Sequence, residues 1–228
     1  LLMVNRYGFD ETAGSDVRVV TDSVGGANGA ILGDGFSWDG SSLALTGGSG
    51  DTAAYVDLPN GFISRHARAN GGSGTITLEG WVTVTDSTPG WARLFDFGSS
   101  FPTTIEITGP GNTNGGSTEG RDYFMFTAYN GNDSATRQLD WRNEDPHGGG
   151  AIVGAYTTDT FATQFHFVIT VDEISKRARA FENGVLKTEI ALNWGLADLH
   201  DNNCWLGRSN WTGDGNLAGL GRPQTVRN

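Results

Sequence analysis

The chain predicts an all-β sandwich with very little helix, on three observations. Residues Gln164 to Val171 alternate large apolar residues with others, the period-2 pattern of a strand with two different faces. Lys176 to Phe181 and Val185 to Leu192 then flank Asn183-Gly184, the dipeptide that most readily supplies two positive φ angles for a tight hairpin turn. Finally, 35 glycines separate short apolar runs, and hardly any run holds the 3.6-residue period of a helix.

In chain order, Met3 to Phe9 is expected to open the fold as a strand, and the loop Gly25 to Gly29 leads to a short strand at Ala30 to Leu32. Leu43 to Leu45 and Ala54 to Leu58 follow across a Gly-rich loop. Thr75 to Val84 sets Ile76, Leu78 and Gly80 against Thr75, Thr77, Glu79 and Trp81, as in a long strand packed on both faces. Ala92 to Phe97, Thr103 to Ile107, Asp122 to Tyr129 and Thr136 to Trp141 continue the rhythm, and an apolar strand around Cys204 and Trp205 follows the hairpin. Gly109 to Gly120 and Asn143 to Gly150 are polar, Gly-rich loops, and long loops on a rigid sandwich are where binding residues usually sit.

At 228 residues with 37% hydrophobic content, the chain can bury a sizeable core as one domain spanning 1–228. The net charge of −11 repels polyanions and no basic cluster is interleaved with aromatics, so nucleic acid is not an expected partner. No run of 18 apolar residues is present, which argues against membrane insertion, and no basic leader region is found at Leu1, so any export signal is expected outside this chain. The single Cys204 excludes an intramolecular disulfide and reads as a small core residue.

Taken in order, NRYGFDE, TDSVGGANGAIL, SLAL followed by AYVDLP, ITLEGWV, WARLFDFG, QFHFVITVD, FENGVLK and WLGRSNW leading to NLAG make the chain resemble the laminin G-like domains of the concanavalin A-like lectin and glucanase superfamily. The resemblance covers almost the whole chain. It implies a jelly roll of two curved antiparallel sheets, commonly exported to the cell surface or beyond, often appended to a larger protein as a glycan- or protein-binding module, and frequently calcium-stabilised. The chain departs from the family pattern after Gly219, where Gly221-Arg222-Pro223 interrupts the approach to a final strand. Completeness of that last strand is therefore an open question for the structure.

The calcium expectation falls on Asp22, whose loop offers a carboxylate and bent backbone carbonyls, the oxygen set a hard cation prefers. The competing reading is an Asx turn in which Asp22 only accepts backbone N–H bonds. Asp214 is its expected partner if the first and last strands adjoin, and Asp172 is a third candidate. For catalysis, the Glu-x-Asp-x-x-Glu pattern that retaining glucanases of this superfamily use to place two carboxylates close together is absent. Asp140, Glu144 and Asp145 around Trp141 read as surface charge. A looser likeness to alginate-lyase jelly rolls, through YFMFTAYN and Gln164-Phe165-His166, has its elements in the wrong order. His66, His147 and His200 are too scattered for a zinc site.

A non-catalytic recognition module for a polysaccharide or cell-surface glycan is the expectation, with a structural or adhesive protein-binding domain as the alternative and a polysaccharide-cleaving enzyme third. Sugar binding uses exposed aromatics that stack on sugar faces, helped by amide, carboxylate and guanidinium hydrogen bonds. Trp81 and Trp205 read as core, whereas Trp91, Trp141, Trp194 and Trp211 flank loops. The expected site combines Trp141 and Arg142 with Tyr129 and Asn130, with Trp91 and Trp211 as further stacking candidates.

Overall fold

The computed structural model describes residues 2–47, 53–69, 71, 74–84, 91–100, 106–107, 120–130, 135–143, 149–158, 160, 162–210 and 224–227. Two antiparallel sheets face each other. The first has eight strands in the order β1 (Val19–Val20), β2 (Gly29–Leu32), β5 (Tyr55–Leu58), β14 (Asn203–Leu206), β7 (Arg93–Ser100), β8 (Gly120–Thr127), β9 (Thr136–Asn143) and β10 (Gly149–Thr157). The second has seven, in the order β13 (Val185–Ala191), β12 (Arg177–Glu182), β11 (Gln164–Asp172), β6 (Thr75–Val84), β15 (Gln224–Arg227), β4 (Ser42–Leu45) and β3 (Phe36–Trp38). The non-consecutive neighbours in the middle of both orders, β2-β5-β14-β7 and β11-β6-β15-β4, are the mark of a jelly roll.

The alternation read in the sequence is what closes the sandwich. Phe165, Phe167, Ile169 and Val171 of β11 turn inward, as do Phe95 and Phe97 of β7, Phe124 and Phe126 of β8, and Leu139 of β9. Phe167 meets Phe126 and Phe95 across the gap, with ring centroids 5.8 and 6.4 Å apart. Asn183 and Gly184 adopt φ of 49° and 79°, as the hairpin between β12 and β13 requires. The final strand forms: Gln224–Arg227 lies between β4 and β6 and pairs antiparallel with both.

A buried ion pair joins the two sheets near one end. Arg137 of β9 donates from Nε to Glu182 Oε2 of β12 at 2.9 Å, and both side chains are shut off from solvent. Tyr156, Thr158 and Thr160 hydroxyls complete the acceptor positions of Glu182, while the guanidinium lies 3.8 Å from the Phe165 ring centroid. Burial pushes the Glu182 carboxyl up, but the two threonine hydroxyls, Arg137 and Tyr156 together hold it below its usual range.

Several elements depart from expectation. The segment Met3 to Phe9 forms no strand, only an isolated bridge between Tyr7 and Asp22. Residues 149–157 pair with β9 as β10, although their leading glycines read as loop. A short helix, α1 (Ser64–Ala69), is present; the Asp201 carboxylate accepts Ile63 N at 2.8 Å and Ser64 N at 3.0 Å at its start. Within the segment Thr103 to Ile107, residues 106 and 107 are not in a strand and the remainder lies outside the described residues.

Candidate functional site

Because strand side chains alternate, every inward residue of the eight-stranded sheet leaves its neighbour on the outer face. The register places Asp57 of β5, Trp205 of β14, Asp96 of β7, Met125 of β8, Asp140 of β9 and Val153 of β10 in one row across that outer face. Adjacent strands lie about 4.8 Å apart, so the three carboxylates recur roughly every 10 Å. The next row carries Asn203, Gly98, Tyr123 and Arg142.

Each carboxylate is held differently. Asp96 is fully buried and accepts Arg93 Nε at 3.2 Å, Asn210 N at 3.0 Å and Asn210 Nδ2 at 2.7 Å. Burial pushes its carboxyl up, against the pull of Arg93 and Asn210. Asp57 accepts Trp205 Nε1 at 3.0 Å, and burial raises it to about 6. Asp140 accepts Gln138 Nε2 at 2.8 Å; burial raises it to about 6 as well, with Gln138 and Arg93 opposing the shift and Asp96 adding to it.

Cations and rings are interleaved with these acids. The Arg208 guanidinium sits 4.5 Å from the Tyr55 ring centroid and 4.4 Å from that of Trp205. Arg142 lies 5.9 Å from Tyr123, and Arg93 5.8 Å from Trp91. Arg93 also donates to the Trp91 carbonyl at 2.6 Å, fixing that residue in a left-handed conformation with φ of 50°. Guanidinium forks, carboxylates, amides and aromatic rings on one sheet face are the groups that hydrogen-bond and stack on a polyhydroxylated ligand.

The expected site residues separate onto different faces. Arg142 lies on this outer face, half-buried, and Trp91 sits half-buried at its margin beside Arg93. Trp141 is a correction: it is 0% exposed and points into the core, 4.2 Å from Trp194 in a stacked pair and 4.8 Å from Phe124 edge-on. Consecutive residues of a strand face opposite ways, so Trp141 and Arg142 do not share a site. Tyr129 is likewise buried in the core. Asn130 is half-buried, its backbone N–H bonded to the Thr136 carbonyl at 2.8 Å where β9 begins. Trp211 and Asp214 lie outside the described residues. Asp140, expected as surface charge, is buried in β9, and Trp81, expected in the core, is 42% exposed.

The two described metal candidates carry the wrong donor set for calcium. Asp22 Oδ1 accepts the backbone N–H groups of Arg6, Val24 and Gly25 at 2.9, 3.0 and 3.1 Å, and Oδ2 accepts Asn5 Nδ2 and Ala27 N at 2.7 and 3.0 Å. A cation needs oxygens around it; here N–H donors converge. Burial opposes ionisation of Asp22, but these bonds hold its carboxyl well below the usual carboxylate range. Asp172 is half-buried and closes a turn, accepting from Ile174 N, Ser175 N and Ser175 Oγ.

The sequence did contain a signal for the outer face. A carboxylate stands in the middle of three strands that are otherwise apolar on the other phase, in VDL, LFDF and QLDW. A charge at the centre of a strand, rather than in its loops, marks a polar face that the fold keeps.

No protein-family model and no curated protein matches the chain. Solved structures do. Domain 4 of AbnA, a GH43 extracellular arabinanase from Geobacillus stearothermophilus, in complex with arabinotriose, is similar over 98% of this chain and 91% of that one, with 16% identity and a TM-score of 0.56. The CBM40 of Ruminococcus gnavus IT-sialidase bound to α2,3 sialyllactose is similar over 82% and 91%, with 16% identity and a TM-score of 0.51. The binding domain of botulinum neurotoxin serotype C1 is similar over 98% of this chain and 47% of that one, at 12% identity and a TM-score of 0.57. At these identities the likeness is one of fold: a jelly-roll β-sandwich.

Proposed function

We propose that the chain is a non-catalytic glycan-recognition module that binds its ligand on the outer face of the eight-stranded sheet. The observation that carries this reading is the row Asp57, Trp205, Asp96, Met125 and Asp140, flanked by Arg93, Arg142, Arg208 and Tyr123. The row itself is closed off, with Trp205 and Asp96 0%, Met125 1% and Asp140 4% exposed, so a ligand meets this face through half-buried Asp57 and Arg142 and exposed Val153. Buried carboxylates and guanidinium groups seated on aromatic rings are more than solubility requires, since burying charge is costly unless something recovers it. Support also comes from similarly folded domains seen with arabinotriose and with sialyllactose. The arabinanase domain is extracellular, and export, as part of a larger protein, belongs to this proposal. Calcium has no role at Asp22 or Asp172 in it.

The test is binding to a panel of immobilised polysaccharides and glycans, in calcium and in chelator, with reducing-end release assayed in the same wells. Binding without product release is expected, undiminished by chelator, and weakened at least about tenfold by Arg142→Ala. Release of reducing ends would replace the module with an enzyme. Silence across the panel would instead favour an adhesive domain with a protein partner.

A further inference from the structure

The outer face of the other sheet carries a feature that the reading above does not use. Trp81 stands in the outward phase of β6 with Thr75, Thr77, Glu79 and Thr83, and the residue is 42% exposed. Every other described tryptophan is buried or half-buried. His166 of β11 is its cross-strand partner, and the two rings stack with centroids 4.8 Å apart and planes 27° from parallel. Glu79 Oε2 lies 3.8 Å from His166 Nε2. The indole is therefore held flat against a neighbour and presented to solvent, instead of swinging freely.

We infer that Trp81 and His166 form a second glycan-contact platform, on the seven-stranded sheet and separate from the outer face of the eight-stranded one. The surroundings select the occupant. On the β11 side the indole has His166 directly opposite and Gln164 and Val168 diagonal to it, with Glu79 and Thr83 on its own strand, and Arg227 of β15 pairs with it from the other side. All but Val168 are residue types that exchange hydrogen bonds with hydroxyls, whereas a protein hot spot is surrounded by contacts that exclude water. A stable protein partner needs about 800 Å² from each side with an apolar centre, but this sheet face is broken up by Glu79 and by the Arg179–Glu189 and Arg177–Glu189 pairs. A single ring bordered by polar groups matches one sugar ring, whose C–H face stacks on the indole while its hydroxyls reach the carboxylate and imidazole. Val168, Phe181 and the exposed Leu186 continue across β11, β12 and β13 from the Glu79 position, so the platform suits an oligosaccharide chain more than an isolated sugar.

Two contact faces on opposite sides let one module touch two glycan chains, and linked weak contacts raise apparent affinity for a polymer without raising it for a short fragment. The experiment follows the indole N–H resonances, with Trp81 assigned by Trp81→Phe, on titration with arabinotriose, α2,3-sialyllactose and the soluble polysaccharide retained best by the panel. A saturable shift of the Trp81 resonance is expected with at least one of them. Trp81→Ala and, independently, His166→Ala should each weaken polymer binding about tenfold while leaving the circular dichroism spectrum and the Arg142-dependent binding in place. A Trp81 resonance that moves with no probe, together with wild-type polymer binding by Trp81→Ala, would overturn the platform. Loss of the Arg142 effect alone would overturn the eight-stranded face and leave this proposal standing.

Discussion

Asp140 and Asp22 show how opposite surroundings set opposite roles for the same side chain. Asp140 is buried with one hydrogen bond from Gln138 and titrates near 6. The folded chain therefore holds a proton that the unfolded chain has already lost, and its contribution to stability falls as pH rises from about 4 to 6. Asp140→Asn keeps the acceptor for Gln138 and removes the buried charge. It should raise unfolding stability at pH 8 by about 2 kcal/mol and change it little at pH 4, measured by urea titration at both values. Asp22 is the reverse: five N–H donors hold it ionised, so its stabilisation is complete above about pH 4 and fades in acid. Asp22→Ala should cost roughly 3 kcal/mol, and a chelator should leave the wild-type melting temperature unchanged. A fall in Tm on chelation would restore the metal to that loop.

The hairpin of β12 and β13 was legible because its cause is local. Asn183-Gly184 needs only its own φ angles, so Gly184→Ala, at φ of 79°, is expected to cost about 1 kcal/mol in thermal unfolding. Strand β11 was legible for a similar reason, since its inward phenylalanines sit in unbroken alternation. Strand β10 was not, because Gly148 to Gly150 mimic a loop and the strand is specified by pairing with β9, which no local pattern records. Trp81 and Trp141 were exchanged between surface and core for want of phase: both stand in regular strands, but only the opposing sheet decides which side is inside. The Arg137–Glu182 pair is equally non-local, joining β9 to β12 across the sandwich. Removing one partner leaves the other buried and uncompensated, so Arg137→Met should cost about 3–5 kcal/mol, and adding Glu182→Gln should recover part of it.

Taken as a whole, the molecule devotes one face of each sheet to a shared aromatic core and leaves two outer faces of different character. That of the eight-stranded sheet is charged, aromatic and largely buried; that of the seven-stranded sheet carries one presented indole. The class of fold followed from composition and alternation, and a glycan site was expected from the residue types. The location proposed for it was not, because a sheet face is assembled from strands far apart in the chain, Asp57, Asp96, Asp140 and Trp205 being brought into one row only by strand order. Most directly, the account rests on binding of wild type and Arg142→Ala to the same glycan panel. Retention of at least one glycan by wild type, reduced about tenfold or more by the substitution with folding intact, is the predicted result. Equal binding by both proteins, or none by either, would contradict it.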